Sequence, residues 1–150
     1  MDATSMIVET HTSVERAFAR YDHAEGSHHQ QYLALRAISD ALAAHAAVED
    51  ELLYPALRQR TGRYDAEIER QLEHAHLLDL VLIELGAMVP SDRRFDAKVR
   101  LLLELFRQHA REQERVLVPE LRRRLDSGER ERLGDELAAR VGQLARGVAA

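Results

Sequence analysis

HAAVEDELLYP, residues 45–55, and HAREQERVLVP, residues 109–119, are two versions of one segment. Each opens on His-Ala, carries polar or acidic residues in its middle, and closes on apolar residues and a proline at the same distance from the histidine. Residues three and four apart share one face of an α-helix. That spacing puts His45 with Glu49 on one face, and His109 with Gln113 on another. Extended outward, the faces read Leu35, Ile38, Leu42, His45, Glu49, Leu52, Ala56 and Val99, Leu102, Phe106, His109, Gln113, Val116, Glu120. A histidine interrupts each apolar stripe and is followed one turn later by a carboxylate or an amide. Pro55 and Pro119 fall inside the helical pattern. A proline there removes a backbone donor and clashes with the carbonyl four residues back, so each is expected to kink or end its helix.

Glycine and proline are few, and they punctuate the remainder. Gly26, Gly62, the MVPSD segment around Pro90 and the DSG segment ending at Gly128 divide the chain. Helices are expected over about residues 4–21, 28–60, 64–88, 91–125 and 129–146, with Ser27 and Ser91 as N-caps. No window alternates with period two, so strands are not expected. The expected fold is all-α. An up-down-up-down four-helix bundle covers about residues 4–125, followed by a short C-terminal fifth helix, in one domain over 1–150. The second and fourth helices then run parallel, which brings the two copies of the segment to similar depth.

The first helix carries Ile7, His11, Val14, Phe18 and Tyr21 on one side, with Val8 beside them, so a third histidine turns inward. The third helix carries EHAH. Its His74 and His76 diverge by about 200° at 3.6 residues per turn. The directions of Ile68, Leu72, Ala75, Leu78, Leu82 and Leu85 favour His74 inward and leave His76 at the edge. His23, His28 and His29 surround the Gly26 loop, where a solvated role is expected. A lone histidine on an apolar face is ordinarily a hydrogen-bonded core residue. Here four helices contribute one each, and Glu49 needs a cation or a proton to stay buried. A metal centre satisfies the set. Imidazole and carboxylate without sulfur suit iron, manganese or zinc and make calcium and magnesium poor fits. One ion rarely uses four imidazoles from four helices, whereas two ions sharing a carboxylate do. On this reading each copy of the segment supplies half of a metal pair.

The 150-residue chain has no cysteine, which excludes thiolate catalysis and thiolate metal sites. Its net charge of −5 argues against a nucleic-acid partner, since phosphate neutralisation needs an excess of Lys and Arg on one face. The run Arg122, Arg123, Arg124 sits among Glu120, Asp126, Glu129 and Glu131 and reads as a solvated face. The start, MDATSMIVET, lacks the basic and apolar regions of a signal peptide, and no apolar run approaches the ~20 residues of a membrane span. A cytoplasmic protein with no membrane partner is expected.

ETH ending at His11, HAAVEDELLYP from His45, EHAHLLDL around His74 and HAREQERVLVP from His109 together resemble the hemerythrin-like cation-binding family. The resemblance covers the bundle and leaves out the last helix. It implies a non-haem di-iron site with an oxo or hydroxo bridge, in which His11, His45, His74 and His109 are terminal ligands and Glu49 a carboxylate bridge. Gln113 stands where the family has its second bridging carboxylate, with Glu112 and Glu114 as neighbouring substitutes. Leu78 stands where the oxygen carriers of the family have a further histidine, leaving a position for water, Tyr54, His76 or an exogenous ligand. The resemblance implies a small partner such as dioxygen, hydrogen peroxide or nitric oxide. Three functions follow: turnover of peroxide or dioxygen, reversible binding or sensing of such ligands or iron, and a bundle with a degenerate or zinc-filled site.

Overall fold

Local capping fixes where the helices begin. Asp2 accepts a hydrogen bond from the Thr4 backbone N–H at 2.6 Å and starts α1 (Ala3–His23). Gly26, at a φ of 85°, turns the chain, and the Ser27 hydroxyl, accepting from the Gln30 N–H, caps α2 (His28–Val48). In the computed structural model, which describes residues 1–61 and 66–149, α3 (Tyr54–Thr61) follows α2, and α4 spans Ala66–Gly86. Gly62 and the helix start expected at residue 64 lie outside the described residues. α5 (Phe95–Glu112) begins four residues later than Ser91 suggested, because residues 90–94 form turns in which Asp92 accepts from the Val89 N–H. α6 (Val118–Arg124) continues α5. α7 (Ser127–Ala149) is longer than the short helix expected, and it opens on a reciprocal cap: Asp126 accepts from the Glu129 N–H, and Glu129 accepts from the Asp126 N–H, both at 2.8 Å.

The rods assemble as an all-α up-down-up-down bundle, with α1 against α2, α4 against α5, and α7 laid over α1 and α2. No strand occurs among the described residues. Gly134 sits where α7 meets the start of α1; a Cβ there would lie 2.0 Å from the Met1 carbonyl oxygen. Two apolar clusters fill the bundle. One contains Val14, Phe18, Leu42, Leu78, Leu102 and Phe106, the other Ile7, Val48, Leu53, Ile68, Leu117 and Leu121. On each of the four rods the change from one cluster to the other falls at polar residues: Thr10 and His11, His45, Gln71 and His74, and His109 with Gln113. A polar layer therefore crosses the core between two dry ones.

The prolines act otherwise than expected. Neither ends its rod. Before Pro55 the helix widens into a π-helical turn, Glu49–Leu53, closed by the Tyr54 N–H on the Glu49 carbonyl; before Pro119 the same happens over Gln113–Leu117, closed by the Val118 N–H on the Gln113 carbonyl. Widening by one residue gives the backbone room around the missing proline donor and rotates everything downstream by one position. The buried face passes from the expected Leu52 and Ala56 to Leu53 and Leu57, and from Val116 and Glu120 to Leu117 and Leu121. It also turns Tyr54 inward. Val8, expected inside, is exposed, and Leu72, Ala75 and Leu82 are half-buried.

Candidate metal centre

Each π turn begins at the polar residue one turn after a repeated histidine, so Glu49 and Gln113 are delivered to the bundle axis by the same backbone device. His11, His45, His109, Glu49 and Gln113 are all buried, Gln113 completely. His74 is half-buried, its ring 5.9 Å from that of His109, while the rings of His11 and His45 are 5.0 Å apart. The His45 and His109 rings, 5.5 Å apart, join the two pairs. His11, His45 and Glu49 each offer a ligand atom within 4.8 Å of the others.

The outer hydrogen bonds decide which ring nitrogens are bare. The Thr10 hydroxyl gives its one hydrogen to the Ile7 carbonyl at 2.8 Å, so at 3.1 Å from His45 Nδ1 it must accept. His45 therefore carries its proton on Nδ1. His11 Nδ1 lies 2.7 Å from the Glu114 carboxylate and donates to it. Both Nε2 atoms are left as lone pairs facing inward. His45 Nε2 stands 2.9 Å from Glu49 Oε1 and 3.4 Å from His109 Nε2. The Gln113 amide nitrogen donates to Glu49 Oε1 at 2.5 Å and to the Tyr54 oxygen at 3.0 Å, which aims Gln113 Oε1 at His11 Nε2, 2.8 Å away. Tyr54 donates to Glu49 Oε2 at 3.2 Å.

Two of these contacts, His11 to Gln113 and His45 to Glu49, set acceptor against acceptor and repel unless a proton or a metal cation lies between them. Protonation is resisted at His11, whose pKa is lowered by burial and by His45 beside it. His74 is lowered likewise, by burial and by His109. Burial opposes ionisation of Glu49, yet a proton carried by His45 or His109 against it outweighs burial and holds the carboxyl well below the usual carboxylate range, so Glu49 is the anion of the layer and a cation beside it is what the contact requires. Burial and the Glu49 charge push the Tyr54 phenol well above its ordinary value, so it stays a donor. Adjacent ligands of one octahedral ion, at about 2.1 Å from it, stand about 3 Å apart. The nitrogen-to-oxygen separations match that spacing, and the donor set has the softness of a transition metal. On the other side, the buried Nδ1 atoms of His74 and His109 have no hydrogen-bond partner among the described residues. His11, His45 and Glu49 fit a metal cation.

The remaining expected positions fall outside this set. Glu112 pairs with Arg115, His76 is exposed, and Glu114, 44% exposed at its side chain, reaches only the outer nitrogen of His11. Leu78 is buried in the apolar cluster next to the polar layer. Two participants have only a faint signal in the sequence. Thr10 lies on the inner stripe of α1, a buried hydroxyl next to His11. Gln71, one turn before His74, is 1% exposed, with an Oε1 atom that has no partner among the described residues. A cavity of about 10 Å³ lies beside Glu49 under Leu53 and Leu137, and an open groove of about 490 Å³ between α1 and α5 leads to His11 and Glu114.

The chain is similar in structure to a hemerythrin HHE cation binding domain-containing protein from Mycobacterium kansasii, with a TM-score of 0.85 over 99% of this chain and 90% of that one at 23% identity. It is 33% identical over 100 residues to a DNA nickase from Nostoc, covering 65% of this chain and 27% of that protein. The chain thus spans about a quarter of the length of that curated relative. The model of the Hemerythrin HHE cation binding domain matches residues 2–121. With the histidine and carboxylate layer at the centre of that match, the chain belongs to the hemerythrin HHE cation-binding domain family.

Proposed function

We propose that this chain holds two iron ions and uses them to bind hydrogen peroxide or dioxygen and turn it over. His11 and His45 would hold one ion and His74 and His109 the other, with Glu49 and Gln113 as the oxygen donors of the layer. The observation that carries this reading is the polar layer itself: the inward nitrogens of His11 and His45, stripped of protons, face a carboxylate and an amide oxygen in a buried core. When bound, an iron pair supplies two electrons to the O–O bond, or removes two from it, without leaving the site.

The chain's own residues do the rest. Glu49 brings the buried negative charge, and Gln113 brings an oxygen without one, which favours the ferrous state relative to a site with two carboxylates. Tyr54 keeps its proton and donates it as a hydrogen bond to Glu49 Oε2, which fixes the direction in which the carboxylate faces the layer. Leu78 adds no ligand, which leaves one side of the His74 and His109 pair open to a small molecule. The apolar clusters above and below keep bulk water out. Zinc or manganese suits the same donors, and reversible binding of dioxygen or nitric oxide is the outcome when turnover is absent. DNA nicking is not carried over from the Nostoc relative, because the chain is acidic overall.

Iron-loaded protein is expected to show near-ultraviolet absorption of a bridged ferric pair and to release dioxygen from hydrogen peroxide. His109→Ala should abolish both. Absorption without peroxide turnover would reduce the function to ligand binding, and a zinc-only protein without either would refute the iron reading.

A further inference from the structure

The geometry points to an order of loading: the first cation is held by His11, His45 and Glu49, and the order is set by Glu114 and Thr10, which act as positioning residues on the two imidazoles. This inference rests on the two-cation reading above and adds to it which half is tight and why.

The two halves differ in how their imidazoles are held. His11 and His45 are both buried, and each has its outer nitrogen committed, to the Glu114 carboxylate at 2.7 Å and to the Thr10 hydroxyl at 3.1 Å. Each ring is fixed in rotation, and each proton is fixed on Nδ1. A ligand pair in the correct tautomer and orientation binds without paying for rearrangement. In the other half the buried Nδ1 atoms of His74 and His109 have no partner among the described residues, and His74 is only half-buried. His109 Nε2 lies 3.4 Å from His45 Nε2, a bare lone pair, so the proton of the His109 ring is drawn to Nε2, toward the centre. Binding a cation through that nitrogen requires moving the proton to Nδ1, where nothing accepts it. The hydrogen bond from His109 to His45 is given up whichever half loads, but only the α4–α5 half must also move a ring proton to a nitrogen with no acceptor among the described residues, whereas the α1–α2 half already holds its protons on Nδ1.

The placement of Glu114 supports a role outside the ligand set. It follows Gln113 by one residue within the π turn, so its side chain leaves the core and returns to α1 through the groove between α1 and α5. Outer partners of metal-bound histidines are worth about 10–100-fold in affinity. Losing either partner should weaken the first step by that factor.

The test is competition titration of metal-free protein with zinc, which has no redox chemistry, against a chromophoric chelator, with helicity followed by circular dichroism. Two unequal steps are expected. Glu114→Ala and Thr10→Val should each weaken the tighter step about 10–100-fold, Glu114→Gln should restore most of the loss because its amide oxygen still accepts, and His74→Ala should remove the weaker step alone. Two equal steps, a tighter step indifferent to Glu114→Ala, or a tighter step lost in His74→Ala would overturn the order while leaving two-cation binding intact. Failure of the wild-type chain to bind zinc or ferrous ion at all would instead remove the two-cation reading, and this inference with it.

Discussion

Gln113→Glu changes the sign of one interaction at the centre of the polar layer. The Gln113 amide nitrogen donates to Glu49 Oε1 at 2.5 Å. The substitution replaces that donor with a second carboxylate. Two ionised carboxylates at such a distance do not coexist, so one proton is retained between them. Keeping a carboxyl with an ordinary pKa of about 4.3 protonated at pH 7 costs about 1.36 kcal/mol per unit, or about 3.7 kcal/mol. The hydrogen bond formed by the shared proton returns about 1 kcal/mol, leaving a loss of about 2–3 kcal/mol. For a chain of this size that lowers the melting temperature by about 5–10 °C. With iron bound the second carboxylate faces cations, and the loss should be recovered or reversed. The assay is thermal unfolding of both proteins, metal-free and iron-loaded. A metal-free melting point unchanged by the substitution, or a loss that iron does not relieve, would refute the placement of Gln113 between the cations.

In iron-loaded protein the same substitution should lower the reduction potential, read by redox titration of the near-ultraviolet band, because added negative charge favours the ferric pair. Acidification should destabilise the metal-free chain. His11 and His74 have folded pKa values below the ordinary 6.5, so below about pH 6.5 the unfolded chain binds more protons; their contribution is complete above that pH and is lost as pH falls. Denaturant midpoints at pH 8 and pH 5.5 read this out. Leu53→Ala should cost about 2–5 kcal/mol and Leu52→Ala distinctly less, since the π turn buries the former fully and the latter only in part; equal losses in chemical denaturation would contradict the shifted register. Gly134→Ala should cost about 1–3 kcal/mol, measured the same way, because its Cβ would meet the backbone of residues 1–3.

The bundle was legible because its helices are long, their apolar periodicity is strong and their punctuation is sparse. The histidines were legible for a related reason. An imidazole at an apolar position on each of four helices is improbable as packing, and the His45 and His109 repeats gave the layer its register. The sequence could not reveal the π turns. A proline inside a helical pattern is compatible with a kink, a stop or a widened turn, and the choice depends on what the next helix packs against. That ambiguity moved the expected core from Leu52 and Ala56 to Leu53 and Leu57, and Tyr54, expected near the open coordination position, is carried by the π turn to a hydrogen bond on Glu49. Thr10 and Glu114 were obscured differently. Their partners, His45 and His11, are 35 and 103 residues away, so no local spacing marks them. Glu114 entered the reading as a candidate ligand, and the structure places it on the outer nitrogen of His11.

Anomalous diffraction at the iron edge from crystals of the anaerobically loaded chain addresses the centre directly. Two peaks should appear within the polar layer, one among His11, His45 and Glu49 and the other beside His74 and His109, with Glu49 reaching both. A single peak, or peaks outside the layer that joins the two apolar clusters, would contradict the paired centre.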